Sequence, residues 1–199
     1  MTHSIDSDNN DMAQAEDHCL RDDALLLSQG RHPDPFAVLG RHGHGDQVAV
    51  RWFMPEALEV RLVDVGQPMQ QLAKTGLFEW RGAVDALPLH YRLAWLDTGG
   101  LEHWAYDPYS FAPQLSLYDL HLFNEGRHLH AYRMLGAHPR QVDGIAGILF
   151  SVWAPNAGRV SVVGDFNFWD GRCHPLRRRG QVWELFMPGI DAGMRYQFE

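Results

Sequence analysis

The sequence predicts an all-β protein built from two tandem immunoglobulin-like β-sandwiches, the second incomplete, joined by a short helical linker. Three observations lead to this fold class. Short segments alternate between apolar and polar residues with a period of two, and turn residues separate these segments. The pattern of the first half also returns in the second half, which indicates a duplicated domain.

The strand pattern is clearest in the first half of the chain. In residues 48–54, valine, tryptophan and methionine side chains fall on one face, as expected for a strand packed against a core. Residues 60–63, 78–81 and 91–95 alternate in the same way. The Asp-Thr-Gly-Gly sequence at 97–100 then predicts a hairpin turn.

The internal repeat has a defined register. Three residues of the first half recur 100 positions later, namely Pro55, Ala57 and Val60 as Pro155, Ala157 and Val160. Further along, the spacing becomes 105, as for Phe78 and Trp183, Glu79 and Glu184, and Tyr91 and Tyr196. The five additional residues fit in a loop within residues 164–180. Since the sequence ends at Glu199, we expect the second sandwich to lack its last hairpin and to leave an open sheet edge.

These patterns divide the chain into four parts. We expect a disordered or short helical start, which ends near Gly30, and a helix in the linker that is capped by Ser116 and stopped by Gly126. The predicted parts are residues 1–23 for the N-terminal segment, 24–113 for the first sandwich, 114–140 for the linker and 141–199 for the truncated second sandwich.

Charge and composition argue against several function classes. The formal net charge is −8, which disfavours binding to a phosphate backbone, so no nucleic-acid partner is expected. The basic run at 177–179 is interpreted as a solvated loop. No apolar stretch reaches the ~20 residues needed to cross a bilayer, and the polar start lacks a signal-peptide pattern, so no membrane partner is expected.

The cysteines and histidines also do not indicate a disulfide framework or a metal-binding site. The only two cysteines, Cys19 and Cys173, form no disulfide framework and favour a cytoplasmic location. The closest histidine pairs, 42/44 and 128/130, have no cysteine or HExxH-type spacing beside them. The sequence therefore predicts no metal site and no cofactor.

Several motifs resemble the start of bacterial 1,4-α-glucan (glycogen) branching enzymes. They are Asp-Pro-Phe-Ala-Val-Leu-Gly at 34–40, Asp-Pro-Tyr at 107–109, Leu-Gly-Ala-His at 135–138, Phe-Ser-Val-Trp-Ala-Pro-Asn-Ala at 150–157 and Val-Ser-Val-Val-Gly-Asp-Phe-Asn-Phe-Trp-Asp-Gly at 160–171. The last motif alone is typical of any glycogen-binding-type sandwich. The combination of two sandwiches with the first and third motifs is more specific to branching enzymes.

The resemblance implies a parent enzyme that cuts an α-1,4-glucan and rejoins the piece through an α-1,6 bond. Such enzymes resemble retaining glycosidases, which need two carboxyl groups across the sugar, carried in this family on a (β/α)₈ barrel. No segment of this sequence matches that barrel or the catalytic motifs, so we predict that the 199-residue chain is non-catalytic. Asp165, Asp170 and Glu184 are interpreted as a turn residue, a loop cap and a solvent-facing strand residue.

The resemblance also points to three carbohydrate-binding candidates. Trp169 matches a position where carbohydrate-binding relatives place a sugar-stacking tryptophan, although packing against a following domain is equally compatible. Asn167 could bond a sugar hydroxyl or could act as a turn residue. Gln197 stands where relatives often carry a sugar-contacting lysine, and a second stacking aromatic is expected beyond Glu199. Trp153 and Trp183 are assigned to the core by strand alternation.

The expected partners are therefore α-1,4-glucan or glycogen and the catalytic barrel of the parent chain. With the site half present, we expect weak or no oligosaccharide binding by this chain alone. A free-standing glucan-binding or regulatory module, and a general protein-interaction sandwich without a role in sugar binding, remain as alternatives. A debranching-type relative is disfavoured by the two tandem sandwiches.

Overall fold

The computed structural model describes residues 18–72 and 74–199, without the side chain of His44. Most of the predicted N-terminal segment, residues 1–17, lies outside the described part. The remainder enters helix α1, residues 18–28, which buries one face through Leu20, Ala24 and Leu27. Gly30 ends the helix as predicted, because it adopts a left-handed conformation with φ of 64°.

The described residues of the first sandwich form eight strands. They are β1 (Gly40–His44), β2 (Gln47–Phe53), β3 (Ala57–Leu62), β4 (Gln67–Pro68), β5 (Gln70–Leu72), β6 (Leu77–Ala83), β7 (Arg92–Asp97) and β8 (Glu102–Tyr106). One antiparallel sheet has the order β1-β2-β6-β5 and the other has the order β4-β3-β7-β8. Large side chains such as Trp52, Phe78 and Tyr91 fill the space between the sheets, and the Trp52 ring lies 5.0 Å from the Trp95 ring of the other sheet. The predicted hairpin at 97–100 is confirmed as the β7–β8 turn.

The linker contains helix α2 (Leu117–Asn124), flanked by 3-10 turns at Pro108–Ser110 and Ala131–Arg133. Ser116 caps α2, since its Oγ accepts a hydrogen bond from the Asp119 amide at 3.0 Å. Leu120 of α2 joins Phe111 and Phe186 in a second apolar cluster. The linker therefore lies against the outer face of the second sandwich. Within the described part of the chain, no helix is long and apolar enough to span a membrane.

Every residue of the second sandwich is described, and together they form six strands. They are β9 (Gly136–Val142), β10 (Ile145–Trp153), β11 (Val162–Gly164), β12 (Arg177–Arg179), β13 (Val182–Pro188) and β14 (Tyr196–Phe198). A four-stranded sheet with the order β12-β13-β10-β9 faces the β11-β14 pair. Strand β9 lies across the predicted boundary between the linker and the second sandwich. The all-β fold class with two sandwiches is confirmed.

The strand register confirms the internal repeat. In the first sandwich Val50 lies opposite Trp80, and in the second Phe150 lies opposite Leu185, which are spacings of 100 and 105 residues. The order β1-β2-β6-β5 also returns as β9-β10-β13-β12. The duplication therefore extends to individual backbone pairs, which reasoning from side-chain pattern could only suggest.

The two sandwiches pack directly on each other. The Tyr109 hydroxyl donates a hydrogen bond to the Cys173 carbonyl at 3.1 Å, and the Arg177 guanidinium lies 4.2 Å from the centre of the Phe36 ring. One apolar cluster includes residues of both sandwiches and of α1. This packing corrects the interpretation of residues 177–179 as a solvated loop, because they form β12 and Arg177 is half-buried.

The core assignment of the two tryptophans is half correct. Trp183 is 2% exposed and faces the interior, whereas Trp153 is 53% exposed at the end of β10. Alternation puts Trp153 on the same outer face as Leu149 and Ser151, which are fully buried beneath the linker. Trp153 lies where that cover ends, beside Phe123 of α2.

Candidate functional site

The loop at residues 165–170, which follows β11, is organised by a buried amide. Asn167 is 4% exposed, and its Oδ1 accepts a hydrogen bond from the Gly164 amide at 2.9 Å. Its Nδ2 donates to the Val162 carbonyl at 2.9 Å and to His174 Nδ1 at 2.9 Å. Because both ends of the amide are used within the loop, Asn167 holds the loop in shape and offers no exposed group to a ligand.

The histidine beneath this loop was not among the predicted site residues. His174 is buried, and burial lowers its pKa from 6.5 to about 4, so the ring is neutral at pH 7. The ring must be neutral here, since His174 Nδ1 accepts a hydrogen bond from the Asn167 side-chain amide. The neighbouring Cys173 is also buried, which raises the pKa of its thiol to about 12 and makes it a poor nucleophile.

The tip of the loop presents two aromatic side chains in a backbone conformation that such residues rarely adopt. Phe168 and Trp169 have φ of 54° and 63°, in the left-handed region. Trp169 is 43% exposed, and its Nε1 donates to Asp165 Oδ1 at 3.2 Å. Strained backbone of this kind concentrates at functional sites, where neighbouring contacts hold it in place.

Gln197 lies on the outer face of β14. Its neighbours Tyr196 and Phe198 both contact the buried ring of Phe150, with centroids at 4.9 Å and 6.4 Å. Since strand side chains alternate, Gln197 points to the opposite face. Arg195, two residues earlier, falls on this outer face as well.

The structure brings Trp169 and Gln197 to one surface through Asp165. The Asp165 amide donates to the Arg195 carbonyl at 3.2 Å, which extends the β11–β14 pairing, and its carboxylate accepts from the Arg195 guanidinium at 3.1 Å. This guanidinium holds the pKa of Asp165 below its usual range. The surface therefore combines an exposed indole with an amide and a guanidinium. Arg195 was not named from the sequence. Its position two residues before Gln197 predicts that both side chains lie on the same face of the strand.

The other two carboxylates singled out from the sequence, Asp170 and Glu184, are also held by cations. Burial raises the pKa of Asp170, but hydrogen bonds from Arg172 outweigh it and leave the pKa below its usual value. Glu184 corrects the sequence interpretation as a solvent-facing residue, because it is 3% exposed. Its carboxylate accepts from Arg179 at 2.6 Å and from the amides of Gln114 and Leu115 at 2.7 and 2.9 Å. Glu184 therefore fastens the linker to the second sandwich.

Two protein-family models match the chain. Residues 21–109 match the N-terminal domain of the alpha-1,4-glucan branching enzyme GlgB, and residues 134–199 match carbohydrate-binding module 48, described as the isoamylase N-terminal domain. The second match contains the loop with Trp169 and the strand with Gln197. The match to the first model ends at Tyr109, in the 3-10 turn that follows β8.

The most similar curated proteins include several named 1,4-alpha-glucan branching enzyme GlgB. The protein from Methylococcus capsulatus is 53% identical over 182 residues, which are 90% of this chain and 25% of the relative. Those from Nitrosococcus oceani and Cellvibrio japonicus are 52% and 50% identical over 84% and 90% of this chain, and 23% and 26% of the relatives. The chain thus spans about a quarter of the length of the curated relatives it matches.

Proposed function

Because residues 21–109 match the GlgB N-terminal domain and residues 134–199 match carbohydrate-binding module 48, we propose that this chain is the non-catalytic, glucan-facing part of a glycogen branching enzyme. The proposed parent transfers α-1,4-glucan segments and forms α-1,6 branches in glycogen biosynthesis, by a retaining-glycosidase-like mechanism. Within it, this chain positions or binds α-glucan. The two cysteines, both free, agree with a reducing cytoplasm as the location.

The observation that carries this proposal is the exposed indole of Trp169 on a rigid loop. A glucose ring has an apolar face of C–H groups that stacks on an aromatic ring, while its hydroxyls need polar partners at the edge. The loop holds the indole through Asp165 and through the buried amide of Asn167. Gln197 and Arg195, on the adjoining strand, supply donors and an acceptor for the hydroxyls.

The carboxylates of this region support a non-catalytic role. A retaining mechanism needs one free carboxylate and one protonated carboxyl group about 5 Å apart across the sugar. Asp165, Asp170 and Glu184 are each tied to an arginine in the described structure. We therefore assign them to holding loops and linker, and we assign the bond-breaking chemistry to the remainder of the proposed parent.

The catalytic barrel of the parent is the second proposed partner. A cluster of apolar side chains around α2 is exposed to solvent, with Leu117, Tyr118, Leu129 and Tyr132 all between 64% and 89% exposed. Exposed apolar patches on this scale mark interaction surfaces. We assign this patch to packing against the barrel, which would bury it in the complete enzyme.

Electrophoresis of the chain through native gels that contain glycogen tests the glucan-binding role. We expect weak retardation by glycogen, which Trp169→Ala reduces. Trp153→Ala is the matched control, since that tryptophan is at least as exposed as Trp169 but lies on the outer face of the other sheet. Equal retardation of wild type and Trp169→Ala would show that the loop does not contribute to glycogen binding.

Calorimetry with maltoheptaose measures the affinity of the chain for an oligosaccharide. We expect a dissociation constant of about 1 mM or weaker, which corresponds to about −4 kcal/mol. Tight binding that depends on Trp169 would contradict the expectation of a weak site. If a longer chain that continues past residue 199 also migrates unretarded at every glycogen concentration, a general protein-interaction sandwich is favoured instead.

A further inference from the structure

The internal duplication gives the first sandwich a surface equivalent to the candidate site of the second. Leu62 lies opposite Leu93 in β3 and β7, and Val162 lies opposite Phe198 in β11 and β14, at the same spacings of 100 and 105 residues. By these spacings Arg92 is the counterpart of Gln197. The outer face of the β4-β3-β7-β8 sheet therefore occupies the place that the candidate site has in the second sandwich.

This outer face carries aromatic side chains from the edge strand β8. Trp104 lies opposite Ala94, and Tyr106 lies opposite Arg92, so both rings project from the same face. Their ring centroids are 6.4 Å apart. Trp104 is 65% exposed, which is more than either Trp153 or Trp169. The Tyr106 ring is half-buried and lies edge-on to the Trp104 ring, at an angle of 74°, so the indole of Trp104 by itself forms the flat apolar platform that is open to solvent.

Polar side chains border the platform and are paired with one another. The Arg61 guanidinium bonds the Glu102 carboxylate, and Arg92 Nη2 lies 2.9 Å from Asp64 Oδ1. A cleft of about 250 Å³ lies between Arg61, Arg92, Glu102 and Trp104, above the small side chain of Ala94. Because each arginine already has a carboxylate, the cleft has no surplus positive charge for an anionic ligand. It suits a neutral ligand with hydroxyls and an apolar face.

We propose that this outer face of the first sandwich is a second α-glucan-binding site. Trp104 stacks on a glucose ring, and Arg61, Arg92 and Glu102 bond its hydroxyls. The ligand class rests on the function proposed above, whereas the placement rests on the duplicated register. The site is built differently from its counterpart, since the short turn after β3 has no equivalent of the Trp169 loop and the stacking ring comes from β8.

Fluorine NMR of the chain labelled with 5-fluorotryptophan separates the two sites. The chain has seven tryptophans, and the resonances of Trp104, Trp153 and Trp169 are assigned through Trp→Phe variants at these positions. These three resonances are then followed during titration with maltoheptaose. We expect the Trp104 resonance to shift in a saturable manner, also in the Trp169→Ala background. The Trp153 resonance should stay in place, because that residue lies on a different sheet.

The outcomes distinguish failure of this inference from failure of the proposed function. A shift at Trp169 with none at Trp104 overturns the second site and leaves the proposed function standing. A shift at Trp104 alone supports the second site and shows that the Trp169 loop does not bind the oligosaccharide. The absence of any shift at saturating oligosaccharide overturns both.

Binding measurements on variants provide the second readout. Trp104→Ala should lower the affinity of this site about threefold to tenfold, as expected for the loss of one stacking contact. Trp104→Phe, which keeps an aromatic ring, should restore most of it. In glycogen gels the double variant at Trp104 and Trp169 should migrate faster than either single variant. A double variant indistinguishable from Trp169→Ala overturns the proposal, whereas an unchanged thermal unfolding temperature excludes misfolding as the cause.

Discussion

Replacing Asn167 with alanine removes the side chain that holds the loop of residues 165–170 together. Three polar groups lose a partner, namely the Gly164 amide, the Val162 carbonyl and His174 Nδ1, each now 2.9 Å from the Asn167 amide. A buried polar group left without a partner costs about 1–3 kcal/mol. Allowing for partial relaxation, we expect the free energy of unfolding to fall by about 3–6 kcal/mol.

Urea unfolding followed by tryptophan fluorescence measures this loss. Asn156→Ala is the matched control, since it removes the same side chain from an exposed turn and should change the unfolding free energy by less than about 0.5 kcal/mol. Glycogen-gel retardation measured on both variants should fall only for Asn167→Ala, because the released loop no longer presents Trp169.

The opposite result would refute the reasoning. If Asn167→Ala unfolds at the same urea concentration as wild type yet loses glucan binding, the amide is not engaged within the loop. It would then contact the sugar directly, as the alternative sequence interpretation has it. Loss of stability with full retention of binding would show instead that Trp169 needs no support from Asn167.

Two further predictions concern buried charge. Glu184→Ala should lower the free energy of unfolding by about 3–5 kcal/mol and speed proteolysis near residues 114–115, whereas Glu125→Ala on the exposed end of α2 should do neither. Burial lowers the pKa of His174 from 6.5 to about 4, so acidification from pH 7 to pH 4 destabilises the fold through this group by about 3 kcal/mol. Burial raises the pKa of Asp107 from 3.8 to about 6, so the same acidification stabilises the fold through that group by about 2 kcal/mol. Asp107→Asn should therefore make unfolding more acid-sensitive than in wild type, and equal pH profiles from urea titrations would contradict this assignment.

The fold class could be predicted because its signals are local. Alternation with a period of two, the turn at 97–100 and the capping residues of α2 depend only on neighbours along the chain. The duplication was detectable because matching residues such as Pro55 and Pro155 recur at a spacing of 100, which becomes 105 after one insertion. The pairing of the strands was not predicted from the sequence, although a slip of one residue would turn every core side chain outward.

The candidate site was predicted only in part. Trp169 and Gln197 were named through a resemblance, and strand alternation would have added Arg195. The engagement of the Asn167 amide was not predictable, because Gly164, Val162 and His174 meet it only after the loop has closed. Whether a turn residue points inward or outward is decided by these contacts.

What the sequence by itself determined is the all-β architecture, its two copies and the helix between them, since each rests on a periodicity or on a capping residue within the chain. What only the tertiary structure decided is which part of the outer face of the second sandwich is covered. Glu184 and Trp153 lie on that same face, since Glu184 pairs with Ser151, two residues before Trp153. The linker buries the carboxylate of Glu184 and ends short of Trp153. Burial depends on segments distant in sequence, and that dependence has no local signal.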